Sequence, residues 1–136
     1  MIDSTDMRII DELTKNSRIT MKELGEKVHL TGQAASARVV KLEDNGIIEG
    51  YTIKVNQVKM GYSVHAIVHV FTKSTNHQPY LTFLQKQELY VLNNYKISGE
   101  CCYLLECKFP SNKILDEFLT DLSNYVSYKL SIVINK

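Results

Sequence analysis

Apolar residues recur every three or four positions through the first third of the chain, and every second position through much of the rest. Between residues 3 and 15, Ile9, Ile10 and Leu13 form one stripe, which predicts a helix. Asp3 is placed to cap it, and Asp6 sits in the first turn, where negative charge suits the helix dipole. Asn16-Ser17-Arg18 breaks the pattern. Met21, Leu24 and Val28 then restart it at i, i+3 and i+7. Thr20 and Glu23 have the spacing of a capping box at its start. His29-Leu30 makes a corner, and Thr31 is a second N-cap. Ala35, Val39 and Leu42 are the buried stripe of a third helix, which ends at Asn45-Gly46. Two helices joined by so short a corner predict a helix-turn-helix.

After Gly46 the period changes. Ile47, Ile48, Tyr51, Ile53 and Val55 alternate with Gly50, Thr52 and Lys54, which reads as strand; a hairpin here would be a wing. From residue 62 the pattern is strand over 62–72, helix over 76–87, strand over 91–97, strand over 101–109, helix from Ser111 or Asn112, and strand over 126–135. That order, βαββαβ, is the ferredoxin-like layout. The expected boundary between the two domains lies at 61/62. In the first strand of the second domain, Val64, Ala66, Val68 and Val70 alternate with His65, Ile67, His69 and Phe71. Both faces are largely apolar. Two helices cover only one face, so the other needs a partner, and a sheet-to-sheet homodimer is expected.

Charge adds less. The net charge is +1, so the whole chain offers no bulk attraction for nucleic acid. The first 61 residues carry as many Lys and Arg as Asp and Glu, but the signs are segregated. Residues 14–22 hold Lys15, Arg18 and Lys22 with no acid, and residues 31–42 hold Arg38 and Lys41 with none. A neutral domain so polarised still presents a basic face. No run of about 18 apolar residues predicts a membrane span. The first ten residues do not read as a secretion signal. Cysteines 101, 102 and 107 make an odd count with two adjacent, which is no disulfide framework. These features together predict a cytoplasmic protein.

The third helix carries the most chemistry. Its outward positions are expected to be Gln33, Ala34, Ala37, Arg38 and Lys41, with Ser36 on the flank. Small residues let a helix approach the floor of the major groove, where Arg pairs with guanine and Gln with adenine. Lys41 suits phosphate. An ordinary capped surface helix would look similar. Other chemistry is sparse. The three thiols read as structural, and Cys101 and Cys102 are expected to face opposite ways. His65 and His69 lie about 13 Å apart on a strand, too far to share a metal. No nucleophile triad, phosphate-binding glycine loop or catalytic carboxylate pair stands out, so no enzyme, cofactor or metal is expected.

The chain resembles the Lrp/AsnC (feast/famine) transcription regulators along essentially its whole length. The resemblance is carried by Asp3 and Asp6 with Ile9-Ile10 and Leu13, Arg18-Ile19-Thr20, Leu30-Thr31, Arg38 with Lys41-Leu42-Glu43, Gly46-Ile47-Ile48 leading into Gly50-Tyr51, and Ser98-Gly99-Glu100 with Tyr103-Leu104-Leu105. It implies an α+β chain: a winged helix-turn-helix followed by a ferredoxin-like, RAM/ACT-like dimerisation domain. It implies double-stranded DNA as partner, read by Thr31, Gln33, Ser36, Arg38 and Lys41 with Lys22 on phosphate. It further implies a homodimer able to build a tetramer or octamer, and an amino-acid effector held between subunits by Gly99, Glu100, Cys101, Cys102 and Tyr103. Such a protein would sit at the nucleoid. Two positions depart from the family pattern. Cys102 stands where an acid is usual, leaving Glu100 as the acid of that segment. His29 stands in the corner where Gly is common. Three other readings fit the residues less fully: an architectural DNA protein of low specificity, a small-molecule sensor without DNA binding, and an enzyme subunit on the ferredoxin-like fold.

Overall fold

The computed structural model describes residues 1–136. The chain divides into two compact units, Met1–Lys54 and Val55–Lys136. The break falls seven residues before the expected 61/62 boundary. The physical reason is local: Asn56–Gly61 folds into turns that bond among themselves, and Lys108 of the second unit reaches Gln57 Oε1 at 3.4 Å.

The first unit holds three helices, α1 (Ser4–Lys15), α2 (Met21–Val28) and α3 (Gly32–Asp44). Ile9, Leu13, Ile19, Leu24, Val28, Ala35, Val39 and Leu42 form one core between them. The caps follow the expected residues. Asp3 and Asp6 close a full capping box on α1. Thr20 accepts from the Glu23 N–H, but the Glu23 carboxylate takes the Thr20 hydroxyl instead of a backbone N–H, so only half the expected box forms. Thr31 caps α3 through the Ala34 N–H. At the far end, Gly46 at φ +72° lets Gly46 N–H reach Glu43 O and Ile47 N–H reach Leu42 O, a Schellman closure. One expectation fails here. Residues 47–55 form no strand and no wing hairpin; the segment is irregular and extended, tied back to α3 by the Tyr51 hydroxyl donating to Glu43 at 2.9 Å.

The second unit is a four-stranded antiparallel sheet with two helices. In chain order it runs β1 (Val64–Thr72), α4 (Gln78–Gln85), β2 (Val91–Lys96), β3 (Tyr103–Phe109), α5 (Asn112–Leu122) and β4 (Val126–Ile132). The sheet order is β2-β3-β1-β4, which is the ferredoxin-like arrangement. Val64, Ala66, Val68 and Val70 face the helices together with Tyr103, Leu105, Cys107 and Phe109. Tyr80, Phe83, Leu84, Leu115, Phe118, Leu119 and Leu122 close that core from above. Each fully buried aliphatic or aromatic side chain here contributes roughly 1.5–3 kcal/mol. Burial also pushes the Cys107 thiol up to about 12. The opposite face of β1, with His65, Ile67, His69 and Phe71, is half-buried within the chain.

Candidate nucleic-acid interface and effector loop

The helix-turn-helix corner is built by backbone contact. A Cβ on Gly25 would meet Leu30 O at 2.5 Å, and one on Gly32 would meet the Lys22 Cα at 3.3 Å. Glycine at these two positions lets α3 and the corner lie directly on α2. Between them His29 adopts the left-handed conformation, φ 61° and ψ 42°, and Leu30 N–H closes onto Gly25 O at 2.8 Å. His29 is the one non-glycine residue with positive φ. So the corner keeps the left-handed turn despite carrying a side chain there.

On α3 the expected DNA residues divide. Gln33, Ala37 and Lys41 are exposed on the side away from the core, Ser36 is half-buried on the flank, and Thr31 is engaged as the N-cap. Lys22 is exposed at the start of α2, beside the first turn of α3. Arg38 does not stand with them. Its Nη1 lies 2.7 and 2.8 Å from the two Asp3 carboxylate oxygens and 3.1 Å from Asp6 Oδ1. The Arg38 hydrogen bond and the Asp6 N–H hold the Asp3 carboxyl below its ordinary value. The expected base-reading arginine is therefore joined to the start of α1. A residue that the sequence pattern does not single out stands on the outer face: Val40, 49% exposed. A helical wheel centred on Gln33 and Ala37 would have found it, since 33, 37 and 40 follow at i, i+4 and i+7.

In the second unit, the segment between β2 and β3 turns at Gly99, φ +117°, and is closed by Ile97 N–H to Cys102 O at 3.1 Å. Gly99 and Glu100 are exposed at its tip. Cys101 and Tyr103 are buried, and Cys102 is half-buried. Cys101 leaves the inward alternation of β3: its Sγ lies 3.8 Å from His69 Nδ1, on the face away from the helices. The cause is that β3 begins only at Tyr103, so Cys101 is not bound by the strand's pleat. Cys102 Sγ lies 3.2 Å from Thr72 Oγ1, which lies 3.2 Å from His77 Nε2, and His77 Nδ1 lies 2.9 Å from Tyr103 Oη. The Thr72 hydroxyl holds the Cys102 thiol below its ordinary value. Thr72 and His77 were not legible as members of this chain, because only the tertiary fold brings the end of β1 and the start of α4 together. The surface cavities of about 670 Å³ at α4 and β2, and about 490 Å³ at Val55–Val64 and the C-terminus, take no wall from Gly99–Tyr103. No group of three or more His, Cys, Asp or Glu is placed to hold a metal, and no helix is long and apolar enough to cross a membrane.

A glycine-seated helix-turn-helix with an exposed face of amide, methyl and ammonium groups defines a DNA-binding protein. Residues 2–49 match the family model described as winged helix-turn-helix DNA-binding. The chain is 62% identical over 136 residues to the HTH-type transcriptional regulator LrpA of Bacillus subtilis, covering 100% of both. Its fold matches the structure of B. subtilis LrpC with TM-score 0.94 at 32% identity, over 100% of this chain and 96% of that one. It also matches a transcriptional regulator of Neisseria meningitidis solved as an L-Met complex, with TM-score 0.93 at 25% identity, over 100% and 92%. The chain belongs to the Lrp/AsnC family of transcriptional regulators. The relatives it matches are regulators, not enzymes.

Proposed function

We propose that this regulator acts in the cytoplasm, at the nucleoid, as a homodimer that lays α3 of each subunit in a major groove and responds to a small effector. The observation that carries the reading is the exposed Gln33–Ala37–Lys41 face of α3, seated on α2 by Gly25 and Gly32. Gln33 reads an adenine edge, Ser36 bonds at the flank, and Lys22 and Lys41 meet phosphate. Thr31 keeps its cap and turns its free lone pair and proton to the backbone of the DNA. Arg38 works as a positioning residue through Asp3 and Asp6. Two subunits place two such helices on half-sites one turn of duplex, or a multiple, apart.

The effector is proposed to be an amino acid, supported by the L-Met complex of the Neisseria regulator. Its contacts fall to Gly99 and Glu100 at the exposed tip and to Cys102 beneath. A pocket there needs walls from a second subunit, and so a ligand would favour one assembly over another. Nothing in the geometry favours the architectural or DNA-free readings.

The test is binding of the full-length protein to duplexes enriched from a random pool, beside an unselected duplex, across a salt series. A preference of about 10³ or more is expected. Equal and steeply salt-dependent binding to both would overturn specificity. Adding L-Met to the complex then reports on the effector.

A further inference from the structure

One residue of the recognition helix is not used by the fold that carries it. Val40 is 49% exposed, whereas Val39 beside it is 6% exposed and lies in the core of the first unit. A β-branched side chain left half open on a helix face loses rotamer freedom and gains less from packing than a core residue does. At about 100° per residue, Gln33, Ala37 and Val40 fall within roughly 60° of arc, opposite Ala35, Val39 and Leu42. Arg38 is on the flank and held by Asp3 and Asp6. Asp44 returns to the same side one turn beyond Val40, and its charge bounds the stretch that can approach DNA. What remains between Gln33 and Asp44 is an amide, a methyl group and an isopropyl group, with Lys41 alongside.

The major groove offers one exposed apolar group, the 5-methyl of thymine. Resting on the reading of this chain as a sequence-specific regulator, we infer that Val40 is a specificity-determining residue that meets a thymine methyl in each half-site. Val40 lies about 10 Å along α3 from Gln33. That separates the thymine from the adenine read by Gln33 by up to about three base pairs. Ala37, between them, is small enough to let both reach the groove floor. Val40 adds preference without a hydrogen bond, and Arg38 adds none of its own.

The inference is tested with the enriched duplex, resynthesised with uracil replacing one thymine at a time. Uracil lacks only the methyl and keeps every hydrogen-bonding edge. The wild type is expected to lose about fourfold in affinity at one thymine per half-site, the worth of one buried apolar carbon. Val40→Ala is expected to bind the thymine and uracil forms of that position alike. It keeps its fold, since Ala is the stronger helix former at an open site, and an unchanged melting curve checks this. Indifference of the wild type to uracil at every thymine overturns the inference, as does a Val40→Ala protein that discriminates as the wild type does. Either result leaves the regulator reading standing. A pool that yields no preferred duplex overturns the regulator reading and the inference with it.

Discussion

Arg38 shows how one side chain can carry a function other than the one its helix suggests. Its guanidinium is paired with two carboxylates at the start of α1 and offsets one of their two charges, so the cluster presents no net positive charge to DNA. Arg38→Ala is therefore expected to leave the slope of log K against log salt unchanged on a random duplex. Lys22→Ala is expected to lower that slope by about one unit. Fluorescence anisotropy across a salt series separates the two, and an equal drop for both would return Arg38 to the interface. The same cluster makes an acid-side prediction. The Asp3 carboxyl titrates below its unfolded value, so its contribution is present above that value and is lost as pH falls through the folded one. Asp3→Asn keeps a good N-cap and removes the charge. Urea midpoints of wild type and variant are expected to differ at about pH 6 and to converge by about pH 3 or lower. His29 gives the third residue-scale test. A left-handed side chain costs roughly 1–2 kcal/mol, partly offset in glycine by unfolded-state entropy. His29→Gly is expected to gain up to about 1 kcal/mol in denaturant melts, and His29→Val to lose stability.

At the level of elements, the helices of the first unit were legible because each carries a stripe, a cap and a stop in the sequence itself. Thr31 and Asn45-Gly46 mark both ends of α3 by local chemistry alone, and the structure uses them so. The irregular course of residues 47–55 was not legible. Residues 47–55 have strand composition, yet a strand also needs a ladder partner, and that depends on what lies beside it. The expected strand over 101–109 begins late for a related reason: alternation fixes facing only inside a pleat, and β3 starts two residues after Cys101. The division of roles on α3 was half legible, since a wheel finds the outer face but cannot foresee that Asp3, 35 residues away, meets Arg38. The glycines of α2 and α3 carry no periodic or capping signal, although Gly25 decides the motif's geometry. Helix propensity alone would make Gly25→Ala stabilising by about 1 kcal/mol. With Leu30 O at 2.5 Å and Thr31 backbone at 2.9 Å, the added methyl has nowhere to go without moving backbone. The net effect is expected to be a loss of about 1–3 kcal/mol in denaturant unfolding. A more stable variant would show that the corner is looser than its contacts imply.

For the molecule as a whole, the open question is what covers the sheet. α4 and α5 close one face, on which Val64, Ala66, Val68 and Val70 are buried. The other face carries Ile67 and Phe71 on β1, Leu104 on β3 and Tyr95 on β2, with a His65–Glu106 pair and Lys129 at 5.8 Å from the Phe71 ring. An apolar centre edged by charged pairs is the composition of an interface, where the middle excludes water and the rim keeps its polar partners. Glu106 lies within that face on the inner strand β3: the Asn93 amide and His65 hold its carboxyl below the ordinary value, so it stays charged at neutral pH. A homodimer formed through this face would need Ile67 dry. Ile67→Glu puts a carboxylate at the centre, beside Glu106, its direct partner in the β1–β3 register. In a monomer the new carboxylate would reach water and cost little. In a dimer it would be buried against Glu106 and its symmetry mates, a like-charge arrangement that association cannot tolerate. Sedimentation equilibrium is therefore expected to give a dimer for the wild type and a monomer for Ile67→Glu. Circular dichroism of the two is expected to match, because the substitution faces away from the core. Operator binding is expected to fall at least tenfold, since two half-sites must then be held by separate chains. If Ile67→Glu stayed dimeric, this sheet face would not be the subunit interface, and the exposed Ile132 and Ile134 near the β4 edge would be the next surface to test.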